Sequence, residues 1–376
     1  MENLEQIKKN MEQRESLFSE FACKSCFAIR LNEESSDIRG SFQRDVDKII
    51  HTLSYTRYAD KTQVYSDIRN DNTSTRMTHV QFVSRASRTI ARALNLNEDL
   101  CEAISLGHDI GHVPYGHDGE RILSKICMER MGMPFAHNIQ SVRNLMNVEN
   151  YGEGKNISIQ VLDGILCHNG EKLLKKYIYK NKNKEDFLND YNNSYKSKEI
   201  CNNLIPMSLE ACVVRISDII GYIGRDLEDA IEIDIISRDD IPKTILDKLG
   251  RNNREIVNTL ILDIINNSIG KNYIALSDEI YDVLNELISF NYKNIYLKSN
   301  SKDQINEYEM MFNVVFDKCL MILNNNINEY NIYKCFLDEM SSEYKKNNSN
   351  ERIIIDYIAG MTDNYFINEY NILKKI

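Results

Sequence analysis

Only four prolines and fifteen glycines interrupt the 376 residues of this chain, and between them apolar residues recur at three- and four-residue spacing. Few helix breakers combined with a 3.6-residue period constrain the chain to an all-α fold. Phe42, Val46, Ile49, Ile50 and Leu53 form one apolar stripe, and Val80, Val83, Ala86, Ile90 and Leu94 form the next. Both are amphipathic helix patterns. Asn97 is placed to cap a short helix in which Leu100, Ala103, Ile104 and Leu106 lead into Gly107-His108-Asp109. Further helices are expected over about 117–132, 137–149 and 158–168, followed by a long one from Ser208 to Ile233. The stretch 170–203 is so rich in Lys, Asn and Tyr that an exposed loop or insertion is expected there. Residues 240–376 read as more helices without a chemical motif, and no internal repeat stands out.

The formal charge of −10 argues against a protein that coats nucleic acid, because such domains carry a basic excess. It leaves room for a small polyanion held by local Arg and Lys with a cation. No run approaches the roughly 18 apolar residues of a membrane span. The polar start MENLEQIKKNMEQRE lacks the apolar stretch of a signal peptide, so a cytoplasmic location is expected. Nine scattered cysteines, an odd number, read as reduced thiols rather than a disulfide framework. The lone Cys23/Cys26 pair has no partner pair at zinc-finger spacing.

The histidines carry the chemistry. Of His51, His79, His108, His112, His117, His137 and His168, six fall between 79 and 168 and none lies in the last two hundred residues. A lone buried histidine is ordinarily a satisfied core residue. The segment GHDIGHVPYGHDGE, however, sets three histidines among Gly111, Pro114, Gly116 and Gly119, a composition suited to a loop that gathers polar side chains. Imidazole nitrogen and carboxylate oxygen suit a divalent cation, and His79, His108 and Asp109 are the candidate ligands. Asp218 is the candidate fourth. It follows Ala211, Cys212, Val213, Val214 and Ile216 on an apolar helix, where an uncompensated carboxylate is costly. A polar contact between helices is the alternative for Asp218. Tyr222 and Asp226, at i+4 and i+8 from it, share its face.

The order His79, His108-Asp109, Asp218 resembles the HD superfamily of metal-dependent phosphohydrolases. More of the sequence follows the same pattern: IRGSFQRDVDKIIHT at 38–52, ADKTQVY at 59–65, TRMTH at 75–79, HDIGHVPYGHDGE at 108–120, HNIQS at 137–141, VLDGILCHNG at 161–170 and SDIIGYIGRDLEDA at 217–230. Together these segments resemble the dGTPase-type dNTP triphosphohydrolases, in consistent order over about 38–235. The resemblance implies an HD-domain helical core over 38–235, an N-terminal segment, 1–37, packing on it, and a helical C-terminal region, 236–376, in the same globule.

It also implies an activity: hydrolysis of a dNTP between the 5′-oxygen and the α-phosphorus to a deoxynucleoside and inorganic triphosphate, with dGTP among the substrates. By resemblance a Mg, Mn or Fe ion is bound by His79, His108, Asp109 and Asp218, and His117 and Glu120 form the catalytic pair. His112, His137 and Arg76 match phosphate-pocket positions, Gln63 a sugar contact, and Tyr222 and Asp226 readers of the 3′-hydroxyl. Members of the family commonly form hexamers or other even-numbered assemblies, and a nucleotide effector is compatible with this membership. The sequence departs from the family pattern at Val113 and Tyr115 in the HPPFGH segment, at Ile139 in HNEQS and at Tyr58 ahead of the KTQ segment. None of these removes a candidate ligand. An HD-type 5′-nucleotidase or phosphodiesterase, and a catalytically inactive nucleotide-binding regulator, are the alternatives.

Overall fold

A single long helix, Leu209–Glu232, organises the molecule. The computed structural model describes residues 2–35, 37–63, 74–168, 172–298 and 300–376. Ser208 caps this helix by accepting from the Ala211 amide, satisfying one of the donors a helix start leaves unpaired. The helix is buried on nearly every side from Leu209 to Ile220, as befits an element inside the core. Arg76–Ala93 packs along it, Glu98–Gly107 lies across both, and Ile159–Cys167 closes the far side. The expected stripes supply the contacts: Phe42, Val46 and Ile49 of Ser41–Ile50, and Val80, Val83, Ala86 and Ile90 of Arg76–Ala93, are buried. Asn97 caps as its position suggests, accepting from the amides of Asp99 and Leu100.

A second apolar core forms separately. Val113, Tyr115, Ile122, Leu123 and Ile126 of the histidine loop and of Gly116–Met131 pack against Phe312, Phe316, Ile354, Ile358 and Phe366. The C-terminal helices Lys302–Asn324, Asn350–Ala359 and Asp363–Leu373 therefore support the histidine loop from outside. The Tyr115 ring stacks on Tyr308 with centroids 4.0 Å apart. Asp356 accepts from both Arg143 and Arg352, tying His137–Arg143 to the same C-terminal block.

The stretch 170–203 is not an open loop where it is described. Asn183 and Asp186 form a capping box that starts the helix Lys184–Ser194, and Phe187 and Tyr191 bury against the first core. Lys182 bridges Asp163 at 2.6 Å and Asp190 at 2.9 Å. Apolar anchors at i and i+4 thus overcome a polar composition. Among the described residues the strands are minimal: Lys176–Tyr177 pairs antiparallel with Ile274–Ala275, and no helix is long and apolar enough to cross a membrane.

Candidate metal centre and nucleotide cavity

Four helix ends and one helix middle converge on Asp109. His79 stands one turn into Arg76–Ala93, His108 and Asp109 follow the end of Glu98–Gly107, His137 opens His137–Arg143, and His168 follows the end of Ile159–Cys167. Asp218 comes from the middle of Leu209–Glu232. Close backbone approaches hold this convergence together. A Cβ on Gly221 would lie 2.8 Å from Val83, so the glycine lets the long helix close on the helix of His79. A Cβ on Gly111 would lie 2.3 Å from the His137 carbonyl oxygen and the Ser141 amide nitrogen. The loop after Asp109 therefore presses directly onto the helix of His137.

Beyond that contact, Tyr115 adopts a left-handed conformation with φ 62°, an uncommon state for an aromatic residue. Gly116 continues the turn with φ 53°. The reversal starts Gly116–Met131 abruptly and points His117 outward, its side chain 58% exposed.

Asp109 is 4% exposed and surrounded by basic groups. The Arg76 guanidinium donates to its Oδ2, and His79 Nε2 lies 3.9 Å from the same oxygen. Its Oδ1 lies 3.3 Å from His108 Nε2, 3.4 Å from His112 Nε2 and 3.9 Å from Nε2 of both His137 and His168. Asp218 Oδ1 is 3.0 Å from His79 Nε2 and 3.6 Å from His108 Nε2. Burial pushes the Asp109 carboxyl up, but His108, His112 and Arg76 outweigh it and hold the group well below the usual carboxylate range. Asp218 moves in the same direction, burial being overcome by the neighbouring imidazoles of His108 and His79. Both acids are ionised at neutral pH.

The ring of His108 is set for a cation. Its Nδ1 lies 2.7 Å from the Ser105 carbonyl oxygen, which only accepts, so Nδ1 carries the hydrogen and Nε2 presents its lone pair. That buried Nε2 makes no hydrogen bond. His79, His108 and Asp109 place ligand atoms within 4.8 Å of one another, and Asp218 adds a carboxylate beside both imidazoles. The donor set fits a divalent transition-metal ion.

Beside this cluster opens a cavity of about 680 Å³, within the usual range for small-molecule sites. Gln63, His117, Tyr222 and Asp226 line it, while Tyr292, Lys293 and Tyr296 wall it from the C-terminal side. Burial pushes Asp226 up to about 7, against the hydrogen bond that Tyr296 donates at 2.8 Å. Arg76, His112 and His137 gather around Asp109 instead of lining the cavity. His117 stands between the two regions, its ring centroid 5.3 Å from that of His112.

The HD domain model matches residues 76–222, which hold every ligand candidate, and the phosphohydrolase-associated domain model matches 274–372. A deoxyguanosinetriphosphate triphosphohydrolase-like protein of Caldanaerobacter subterraneus is 36% identical over 342 residues, covering 90% of this chain and 86% of that one. The protein of that name from Clostridium perfringens is 35% identical over 376 residues, covering 99% and 95%. One from Rickettsia prowazekii is 31% identical, covering 89% and 91%. The chain belongs to this family of HD-domain proteins.

Two parts of this candidate site escape a reading of motifs. His168 closes the segment VLDGILCHNG after a mostly apolar helix, and nothing in that segment marks its ring as part of the cluster. Tyr292, Lys293 and Tyr296 sit in FNYKNIY, an aromatic cluster without a chemical pattern. Their part in the cavity arises because Tyr292–Tyr296 continues Asp278–Asn291 as a wider, π-type helical turn.

Proposed function

We propose that this phosphohydrolase-family chain cleaves deoxynucleoside triphosphates, dGTP among them, to a deoxynucleoside and inorganic triphosphate. The observation that carries this reading is the position of His117, which lines the nucleotide-sized cavity while standing beside Glu120 and the His112–His137 stack at the edge of the metal-ligand cluster. The names of the relatives point to the same substrate class.

In this reading His79, His108, Asp109 and Asp218 hold a divalent ion of the Mg, Mn or Fe class. When bound, the ion supplies positive charge at the α-phosphate and lowers the pKa of a water. Arg76 adds a fixed cation beside Asp109, a guanidinium being suited to phosphate oxygens. His112 and His137 are stacked rings with centroids 3.9 Å apart, available as donors to the same phosphates. His117 lines the cavity and is the residue placed to meet the scissile ester from that side. With Glu120 3.7 Å from its Nδ1, it protonates the departing 5′-oxygen.

At the sugar end, Gln63, Tyr222 and Asp226 face the deoxyribose. Asp226, shifted toward neutrality by burial, is able to exchange a hydrogen bond with the 3′-hydroxyl. Tyr222 on the same helical face restricts the space a 2′-hydroxyl would need. Even-numbered homo-oligomers and activation by a second nucleotide accompany this reading as further proposals.

Product analysis tests it. With Mn²⁺ or Mg²⁺ and dGTP, ³¹P NMR is expected to show inorganic triphosphate and chromatography to show deoxyguanosine. Release of orthophosphate or pyrophosphate without triphosphate would reject the reading in favour of another HD-type phosphoesterase. The same assay with each dNTP and GTP, alone and in pairs, reads base preference and activation.

A further inference from the structure

Lys61 is 3% exposed, and its amine donates to two main-chain carbonyl oxygens, that of His112 and that of Ala359, the second at 2.9 Å. Burial, with the guanidiniums of Arg57 and Arg76 close by, pushes the amine down to about 7, against Asp363 and Asp109. Charged or neutral, it keeps a hydrogen for each carbonyl, so the contact outlasts the loss of its proton. An apolar side chain of similar length would leave both buried carbonyls without this donor, which is costly. The two acceptors belong to different blocks of the molecule. His112 lies in the histidine loop, its ring stacked on that of His137. Ala359 ends the helix Asn350–Ala359, where the last carbonyls favour a cation.

The main chain around Lys61 is committed to Arg76. The Arg76 amide donates to the Lys61 carbonyl oxygen at 3.2 Å, and the Arg76 guanidinium donates to the Thr62 carbonyl oxygen at 3.3 Å. Lys61 therefore joins Arg76, through its backbone, to His112, through its side chain. Both are candidates for the phosphate end of the site. The sugar-end candidates are held by other means: Tyr222 and Asp226 come from Leu209–Glu232, and Gln63 follows Thr62, whose amide and hydroxyl donate to Asp363. Lys61 itself stays out of the cavity wall.

We propose that Lys61 is a positioning residue for the phosphate end of the site: it sets His112 relative to Arg76 and anchors the pair to the C-terminal block, so that both face the same triphosphate. The proposal rests on the reading of His112 and Arg76 as phosphate contacts. Lys61 touches no substrate atom and acts only through the two main-chain carbonyls and the Arg76 amide. Its loss is therefore felt by the triphosphate and not by the nucleoside.

The test measures the two ends separately on the full-length, Mn²⁺-loaded protein, with inorganic triphosphate and deoxyguanosine as calorimetric probes. Lys61→Met keeps a long side chain and removes its donors. It should weaken triphosphate binding by about ten- to a hundredfold, the worth of one hydrogen bond from His112 to a charged phosphate oxygen. Deoxyguanosine affinity and Mn²⁺ content should stay at the wild-type level. Lys61→Arg keeps donors, but a planar head does not reproduce the geometry of an amine, so a smaller loss at the same end is expected. Equal weakening of both probes would overturn the proposal in favour of a general packing role. Unchanged triphosphate affinity would overturn it outright. If Lys61→Met does not fold, Lys61→Arg decides by the same two comparisons. Binding of neither probe to the wild type would instead remove the nucleotide reading itself, and the proposal with it.

Discussion

The Glu120 carboxylate lies 2.9 Å from Nδ1 of His137 and accepts the His137 backbone amide at 3.0 Å, whereas His117 Nδ1 is 3.7 Å away. Burial pushes the Glu120 carboxyl up, but His137 and His117 outweigh it and keep the group well below its ordinary range. Glu120 is thus an anchored anion that fixes His137 and stands beside the exposed ring of His117. His117→Ala should lower kcat by about 10²–10⁴, the usual contribution of a general acid or base, while Mn²⁺ content stays at the wild-type level. Glu120→Gln should also disturb His137 and so reduce kcat as well. Unchanged turnover in His117→Ala, with the fold intact by circular dichroism, would remove it from the reaction.

Replacing Asp109 has a broader consequence. Its carboxylate faces Arg76 and five histidines, so Asp109→Ala takes the common counter-charge from all of them. Six buried or half-buried basic groups then face one another, and holding two or more of them charged without a partner is expensive. Bound metal and dNTP turnover should both disappear, as read by elemental analysis and steady-state assay. Full activity in this variant would place the reaction centre elsewhere.

The helical class and the gathering of His79, His108, Asp109 and Asp218 were legible in the sequence for a physical reason. Stripes such as Val80, Val83 and Ile90 encode a helix face locally, and His108-Asp109 at a helix end is a local event followed by glycines and a proline. Asp218 was legible because a carboxylate on the apolar side of a helix demands a partner. What stayed hidden depends on long-range packing. Nothing near Tyr292 or Tyr296 says that the chain will turn them toward Gln63, and nothing near His168 says that its ring will meet His137. The helix Lys184–Ser194 was obscured by polar composition, because its two buried aromatics are outnumbered by solvated residues.

Asp363, the first residue of Asp363–Leu373, reaches back into the site from 248 residues beyond Tyr115. One of its oxygens accepts the Thr62 amide at 3.1 Å and the Thr62 hydroxyl, and the other accepts the Tyr115 amide at 3.1 Å. It therefore clasps the segment carrying Thr62 and Gln63 to the loop that presents His117. Asp363→Ala should leave the metal ligands in place and let both cavity walls shift. A drop of about ten- to a hundredfold in kcat/KM is expected, the scale on which small misplacements act. Asp363→Asn, which keeps one accepting oxygen, should recover part of the loss. Equal kcat/KM in all three proteins would show that the clasp is dispensable.

Glu210 links stability to pH. It is fully buried, and its Oε1 accepts the amides of Cys23 and Asn97, holding the N-terminal segment and the start of Glu98–Gly107 to the long helix. Burial pushes its carboxyl up from an ordinary 4.5 to about 7, those two amides opposing the rise. The folded chain therefore keeps a proton on Glu210 between about 4.5 and about 7, where the unfolded chain has released it. Stability then falls as pH rises through that window and levels above it, by on the order of 3 kcal/mol if the whole displacement is expressed. Asp226, also raised to about 7 by burial, contributes with the same sign. Glu210→Gln preserves the accepting oxygen and removes the titration. Its melting temperature should therefore match the wild type near pH 4.5 and exceed it at pH 8. Parallel curves for the two proteins would mean that Glu210 is ionised in the folded state across the range.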